Sequence, residues 1–126
     1  MAEFTDYLEN AIIETMRATG ITAAAAYVAL FTTATTDAGG GTEVTGGSYA
    51  RQLAGLSAAA GGASSNAAAI TFPTATADWG TVTHCALYNA VTAGNMLMHS
   101  PLNASKTVGS GDTFKMNAGE LDVTVD

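Results

Sequence analysis

Short apolar runs with a two-residue period, each ended by glycine, proline or asparagine within about a dozen residues, constrain this chain more than any other feature. In "AAYVALFTT", Tyr27, Ala29 and Phe31 alternate with Val28 and Leu30, so both faces are apolar and both must be covered. "SYARQLAG" sets Tyr49, Arg51 and Leu53 against Ala50 and Gln52. "AAITFPTA" turns Ile70 and Phe72 inward before Pro73, which has no amide hydrogen to give a ladder. "TVTHCALYNA" is again two-sided, with Val82, His84, Ala86 and Tyr88 against Thr83, Cys85 and Leu87. After the turn "VTAGN" comes "MLMHSPLNAS". "GDTFKMNAGELDVTV" then reads as a hairpin with Leu121, Val123 and Val125 inward and Asp122 and Thr124 outward.

The connections are glycine-rich. "TTDAGGGTEVTGG" has five glycines in thirteen residues and reads as a long mobile loop; the low-complexity "SAAAGGASSN" reads as a second, exposed one. Crossover helices have nowhere to sit, which excludes a parallel α/β fold. The expected fold is mainly β, an antiparallel sandwich of jelly-roll type with about seven or eight strands.

One helical pattern precedes the strands, over residues 5–19. Thr5 is suited to the N-cap, and Asp6 and Glu9 sit in the first turn, where the helix dipole favours acids. Leu8, Ala11, Ile12, Thr15 and Met16 recur on one side, Phe4 can staple to them from outside, and Gly20 supplies the stop. The whole chain, 1–126, is expected to be one domain, with a helix at about 5–19 and the sandwich over 24–126. The stripe of Leu8, Ile12 and Met16, with Phe4, must pack either on the domain's own sheet or on a neighbour.

Charge narrows the partners. Eleven acids face four bases, Arg17, Arg51, Lys106 and Lys115, for a net charge of −7. The bases are scattered, so no basic stripe exists to neutralise phosphates or an anionic membrane surface. No run approaches the ~20 apolar residues of a membrane span, and the amino terminus lacks the basic and uninterrupted apolar regions of a signal peptide. Nucleic acid and membrane are therefore not expected partners, and a soluble protein made in a cytosol is.

Chemistry is sparse. Asp78, His84 and His99 are the grouping that resembles a catalytic or metal-ligating set. No serine stands in a nucleophile-elbow context, however, and no recognised ligand spacing is present. Asp78 beside Trp79-Gly80 reads as a turn residue receiving backbone donors. Cys85, the single cysteine, lies in an apolar run and reads as buried and inert. "GGG" at 39–41 lacks the Lys-Ser/Thr that completes a phosphate loop. Tyr7, Tyr27, Tyr49, Trp79 and Tyr88 could line a sugar groove, although a sandwich core is the commoner role. The expectation is no catalysis, no cofactor and no metal.

The order of segments "DYLENAIIETMRATG", "AYVALFTT", "DAGGGTEVTGGSYARQ", "SSNAAAITFPTATADWGTVTHCALYNAVTAGNMLMHSPL" and "SKTVGSGDTFKMNAGELDVTVD" resembles a family of small tailed-bacteriophage structural proteins. Its members are often labelled tail fibre-like. The sharpest parts of the resemblance are "YVALFT", "GGSYARQ" and "FPTATADWGTVTH". It implies a virion component made in the host bacterial cytoplasm.

Because the chain has neither a fibre's length nor an internal repeat, the favoured role is a capsid cement or decoration protein. Such a protein would clamp the major capsid protein, as a homotrimer like other cement proteins, and the net charge would keep it soluble before assembly. The alternatives are a tail fibre or tail-tip component contacting tail proteins or a host receptor, and a small carbohydrate-binding module. The expected interface comprises Phe4, Leu8, Ile12 and Met16 of the helical stripe and Asp37, Thr42, Glu43 and Val44 of the glycine-rich loop, since loops carry binding.

Overall fold

The computed structural model describes residues 3–16 and 25–124. Among the described residues, nine strands and one helix follow in the order β1 (Glu3–Phe4), α1 (Asp6–Met16), β2 (Tyr27–Phe31), β3 (Gln52–Leu53), β4 (Ala63–Ser65), β5 (Ile70–Thr71), β6 (Gly80–Tyr88), β7 (Met96–Val108), β8 (Lys115–Met116) and β9 (Asp122–Thr124). The fold is mainly β and antiparallel, as the two-residue periods imply. A five-stranded sheet, ordered β1-β7-β6-β2-β3, is accompanied by two two-stranded ladders, β4-β9 and β5-β8.

Register explains why the central strands are apolar on both sides. Val28 lies opposite Leu87, Leu30 opposite Cys85, Leu87 opposite Met98, and Met98 opposite Phe4. These residues form one face of the sheet, and they share the main core with Ile70, Phe72, Phe114 and Met116 from the β5-β8 region. On the other face Ala29 pairs with Ala86 and Tyr88 with both Tyr27 and Met96. There Phe31 and Tyr88 stack with centroids 6.3 Å apart in a smaller core with Ala29, Ala86 and Met96. Pro101 falls where the β6-β7 register slips between Val82 and His84, a bulge that tolerates a residue without an amide hydrogen.

The helix starts where the capping chemistry puts it. Thr5 is buried, its Oγ1 accepts from Leu8 N at 3.3 Å and donates to Met96 O at 2.5 Å, and its carbonyl accepts from Glu9 N. The cap thus also fastens α1 to β7. The end expected at residues 17–20, with Arg17 and Gly20, lies outside the described residues, as does Val125.

Four expectations need correction. The run "GDTFKMNAGELDVTV" does not pair with itself: β8 pairs with β5 and β9 with β4. Asn66 provides the physical reason. Fully buried, it donates from Nδ2 to Ala68 O and Asn117 O and accepts at Oδ1 from Leu121 N, each at 2.9 Å. This side chain binds the 117–121 turn to the 66–68 segment, so the flanking strands find partners there. Asn66→Ala is expected to cost about 2–3 kcal/mol, because it orphans buried backbone groups as well as losing their bonds. A lowered urea midpoint together with faster amide exchange at Leu121 would register it.

"SYARQLAG" is a strand only at Gln52–Leu53, because Tyr49 and Arg51 are taken up in a polar network instead. The low-complexity "SAAAGGASSN" is exposed over residues 57–63, as expected, yet it is a hairpin whose last residue, Asn66, is buried. Ala60 and Ala63 exchange backbone hydrogen bonds around Gly61 and Gly62, whose φ values of 60° and 75° need glycine. The fourth correction concerns the loop at 37–47.

Candidate functional site

The loop is held at both ends. Glu43 bridges to Phe31, Val44 N donates to Leu30 O at 3.0 Å, and Thr32 N donates to Thr42 O at 3.0 Å. At its far end Gly46, Gly47 and the following Ser48 all adopt left-handed φ, at 74°, 57° and 66°. At Gly47 a Cβ would stand 2.8 Å from Trp79 Nε1 and 3.0 Å from Ala77 O, so only glycine lets Trp79 Nε1 donate to Gly47 O at 2.9 Å. A glycine count reads as freedom; here the glycines permit close packing.

This geometry delivers Arg51 and Glu43 into a polar knot. Arg51 Nε and Nη2 reach Glu43 Oε2 and Oε1, both at 2.8 Å, in the bidentate fork that suits guanidinium and carboxylate. Nη1 donates to Ala90 O at 3.0 Å and Ala93 O at 2.7 Å, and the guanidinium lies 3.7 Å over the Tyr88 ring. Tyr49 Oη donates to Glu43 Oε2 at 2.6 Å while accepting from Leu30 N. Tyr49 also stacks on Phe72 and meets Trp79 edge-on at 5.5 Å. The knot joins the loop, β2 and the 89–95 turn.

Electrostatics follow from that geometry. Burial by itself would raise the Glu43 carboxyl, but the hydrogen bonds from Arg51 and Tyr49 outweigh it and hold the group below its ordinary 4.5. Burial, then the bond to Glu43, pushes the Tyr49 phenol upward. The unfolded chain therefore binds more protons at this carboxyl, so its contribution is complete above pH 4.5 and lost as pH falls through the folded value. Urea midpoints taken from neutral to acid pH should fall through this window in the native chain, and Glu43→Gln should start lower and show a shallower slope.

The grouping of Asp78, His84 and His99 is not brought together as a unit. Asp78 Oδ1 accepts from Ser110 N at 2.9 Å, the turn role expected of it. His84 Nδ1 pairs with Thr83 Oγ1, and His99 with Thr35 and Asp37. Cys85 is buried and its thiol is pushed up to about 11 by burial, which leaves little thiolate for nucleophilic work. Tyr49, Trp79 and Tyr88 are engaged in the cores rather than arrayed on a surface.

The interface residues expected from sequence divide into two sets. Phe4 and Leu8 pack on the main core, Val44 is inside it, and Glu43 is committed to Arg51. Ile12, Met16, Asp37 and Thr42 are exposed, Met16 at 79%. Asp6 N donates to Asp37 O at 3.0 Å, so helix and loop meet at one edge of the molecule. Ile13, not singled out from sequence, is 54% exposed beside Ile12 and Met16. Of the stripe read from sequence only Leu8, with Phe4, faces the sheet; Ile12 and Met16 lie on the outer side of α1 with Ile13. Sequence reading also missed a cleft of about 550 Å³ whose walls include Leu87, Met98, Leu102, Phe114 and Leu121.

An antiparallel β body of this size, with its polar side chains spent on internal fastening and an apolar helix face left outside, fits the class of small structural proteins of tailed phages. The family model described as Podophage GP4 fiber I protein gp80 matches residues 3–124, and the chain belongs to that family. It is accordingly a phage structural protein and a virion component. No curated protein matches it. The segments most distinctive of the resemblance, "YVALFT", "GGSYARQ" and "FPTATADWGTVTH", are β2, the Gly47–Arg51 knot and the Trp79 wall with the start of β6; the first and third supply core residues and the second the polar fastening beside them.

Proposed function

We propose that the chain is a non-enzymatic fibre subunit of a podophage virion, seated by packing of copies of itself through the outer face of α1. The observation that carries this reading is the family match, which spans residues 3–124 and bears the description of a fibre protein. The exposed Ile12, Ile13 and Met16 support it, because an apolar helix face left in water is normally completed by a partner. A second copy is the natural occupant, since most soluble oligomers are built from identical chains. A capsid cement role, clamping the major capsid protein, is the second reading; the sequence's want of a fibrous repeat favours it.

Copy number separates the two. Quantitative gels of purified particles should give this chain in a small fixed ratio to tail proteins; a ratio near that of the major capsid protein would decide for cement. Ile12→Asp is expected to leave the fold intact, because Ile12 is already 39% exposed, and to abolish self-association and incorporation into particles. Normal association of a folded Ile12→Asp chain, measured by analytical ultracentrifugation, would remove α1 from the interface.

A further inference from the structure

We propose that Glu3, Asp37 and His99 form a binding site for a divalent transition-metal ion at the seam between β1, β7 and the 32–43 loop. The site is independent of the fibre reading. The three residues are far apart in sequence, yet one ligand atom from each lies within 4.8 Å of the others. His99 Nε2 is 2.9 Å from Asp37 Oδ1 and 3.8 Å from Glu3 Oε2. Donors held about 2.1 Å from a tetrahedral ion stand roughly 3.4 Å apart, and the two spacings bracket that value. Small rotations of two carboxylates would complete the geometry.

The backbone presets the placement. Glu3 is the register partner of His99 in the β1-β7 pair, and the Asp6 N to Asp37 O hydrogen bond brings the loop to the same edge. His99 is buried at 7% exposure, and its other ring nitrogen, Nδ1, lies 2.8 Å from the Oγ1 of buried Thr35. A hydrogen bond on the far nitrogen is what orients metal-binding imidazoles. When Nδ1–H donates to Thr35, the Nε2 lone pair points at the carboxylates, an arrangement that a cation between them resolves.

Chemistry selects the class of ion. One imidazole nitrogen with two carboxylate oxygens suits zinc, manganese or cobalt better than calcium or magnesium, which favour oxygen alone. The carboxylate side chains are 74% and 56% exposed, so an ion can enter and would keep open positions for water or a donor from a neighbouring subunit. Bound metal would cross-link β1 to β7 and the loop, and so tie down the root of α1.

The test uses the full-length, tag-free chain stripped with chelator and titrated with Zn²⁺, or with Co²⁺ for its visible absorption. We expect one equivalent per chain by equilibrium dialysis, a Co²⁺ spectrum of nitrogen and oxygen ligands without a thiolate band, and a rise in Tm with Zn²⁺ that chelator reverses. Asp37→Asn should remove saturable uptake and Glu3→Gln should weaken it; both alter exposed side chains, so circular dichroism should show the native fold. Thr35→Val should weaken affinity about 10–100-fold through the ring's orientation. Absence of saturable uptake by the native chain would overturn the site, and so would uptake that survives unchanged in folded Asp37→Asn and Glu3→Gln chains.

Discussion

Arg51→Ala should destabilise the chain by about 3 kcal/mol, the lower end of what breaking one side of a buried ion pair costs. The lower end applies because the Glu43 side chain keeps 23% of its exposure while that of Arg51 keeps 7%. Removal of the guanidinium leaves a half-buried carboxylate without its counter-charge and deprives Ala90 O and Ala93 O of their donor. It also uncovers the Tyr88 ring. Thermal and urea unfolding should both register the loss. A cycle through Glu43→Gln and the double variant should show strong coupling, since the double variant no longer buries a lone charge. Additive effects in that cycle would mean that the knot is a set of independent contacts.

The second large effect is expected at Phe72. Its side chain is 1% exposed, stacks on Tyr49 at 6.2 Å and meets Phe114 edge-on at 5.6 Å. Phe72→Ala removes a ring from the junction of the main sheet and the β5-β8 ladder, at a cost of about 3–5 kcal/mol. For a domain whose total stability is about 5–15 kcal/mol, that brings the chain near its unfolding threshold at 37 °C. Phe72→Leu, which refills part of the volume, should recover much of the loss. If Phe72→Ala unfolds within a degree or two of the native chain, the two layers are not held together there.

Part of this architecture was legible in the residues. Val28 and Leu30 against Ala29 and Phe31 implied a strand covered on both sides, and β2 lies inside the sheet, between β6 and β3, with a core on each face. Thr5 announced the helix start, and Pro73 marked the end of β5. Local patterns succeed in such places because the cause is local: period, cap and missing amide hydrogen act within a few residues. Elsewhere the cause was distant. Asn66 looked like a loop residue, but its partners at 117 and 121 turned an expected hairpin into two ladders. The glycines of 39–47 looked like slack, and Trp79 made one of them a requirement for packing.

Read by itself, the chain determined its mainly β character, its capped helix and its acidic charge, because these depend on composition and short-range periodicity; its kinship with small phage structural proteins came from the resemblance of its ordered segments. Tertiary structure decided which charges are consumed internally, which side of α1 remains uncovered, and that Glu3, Asp37 and His99 meet. No spacing rule could bring positions 3, 37 and 99 together. Strand register set Glu3 beside His99, and the Asp6 N to Asp37 O hydrogen bond brought the loop to them, because tertiary hydrogen bonding places residues side by side whatever their distance along the chain.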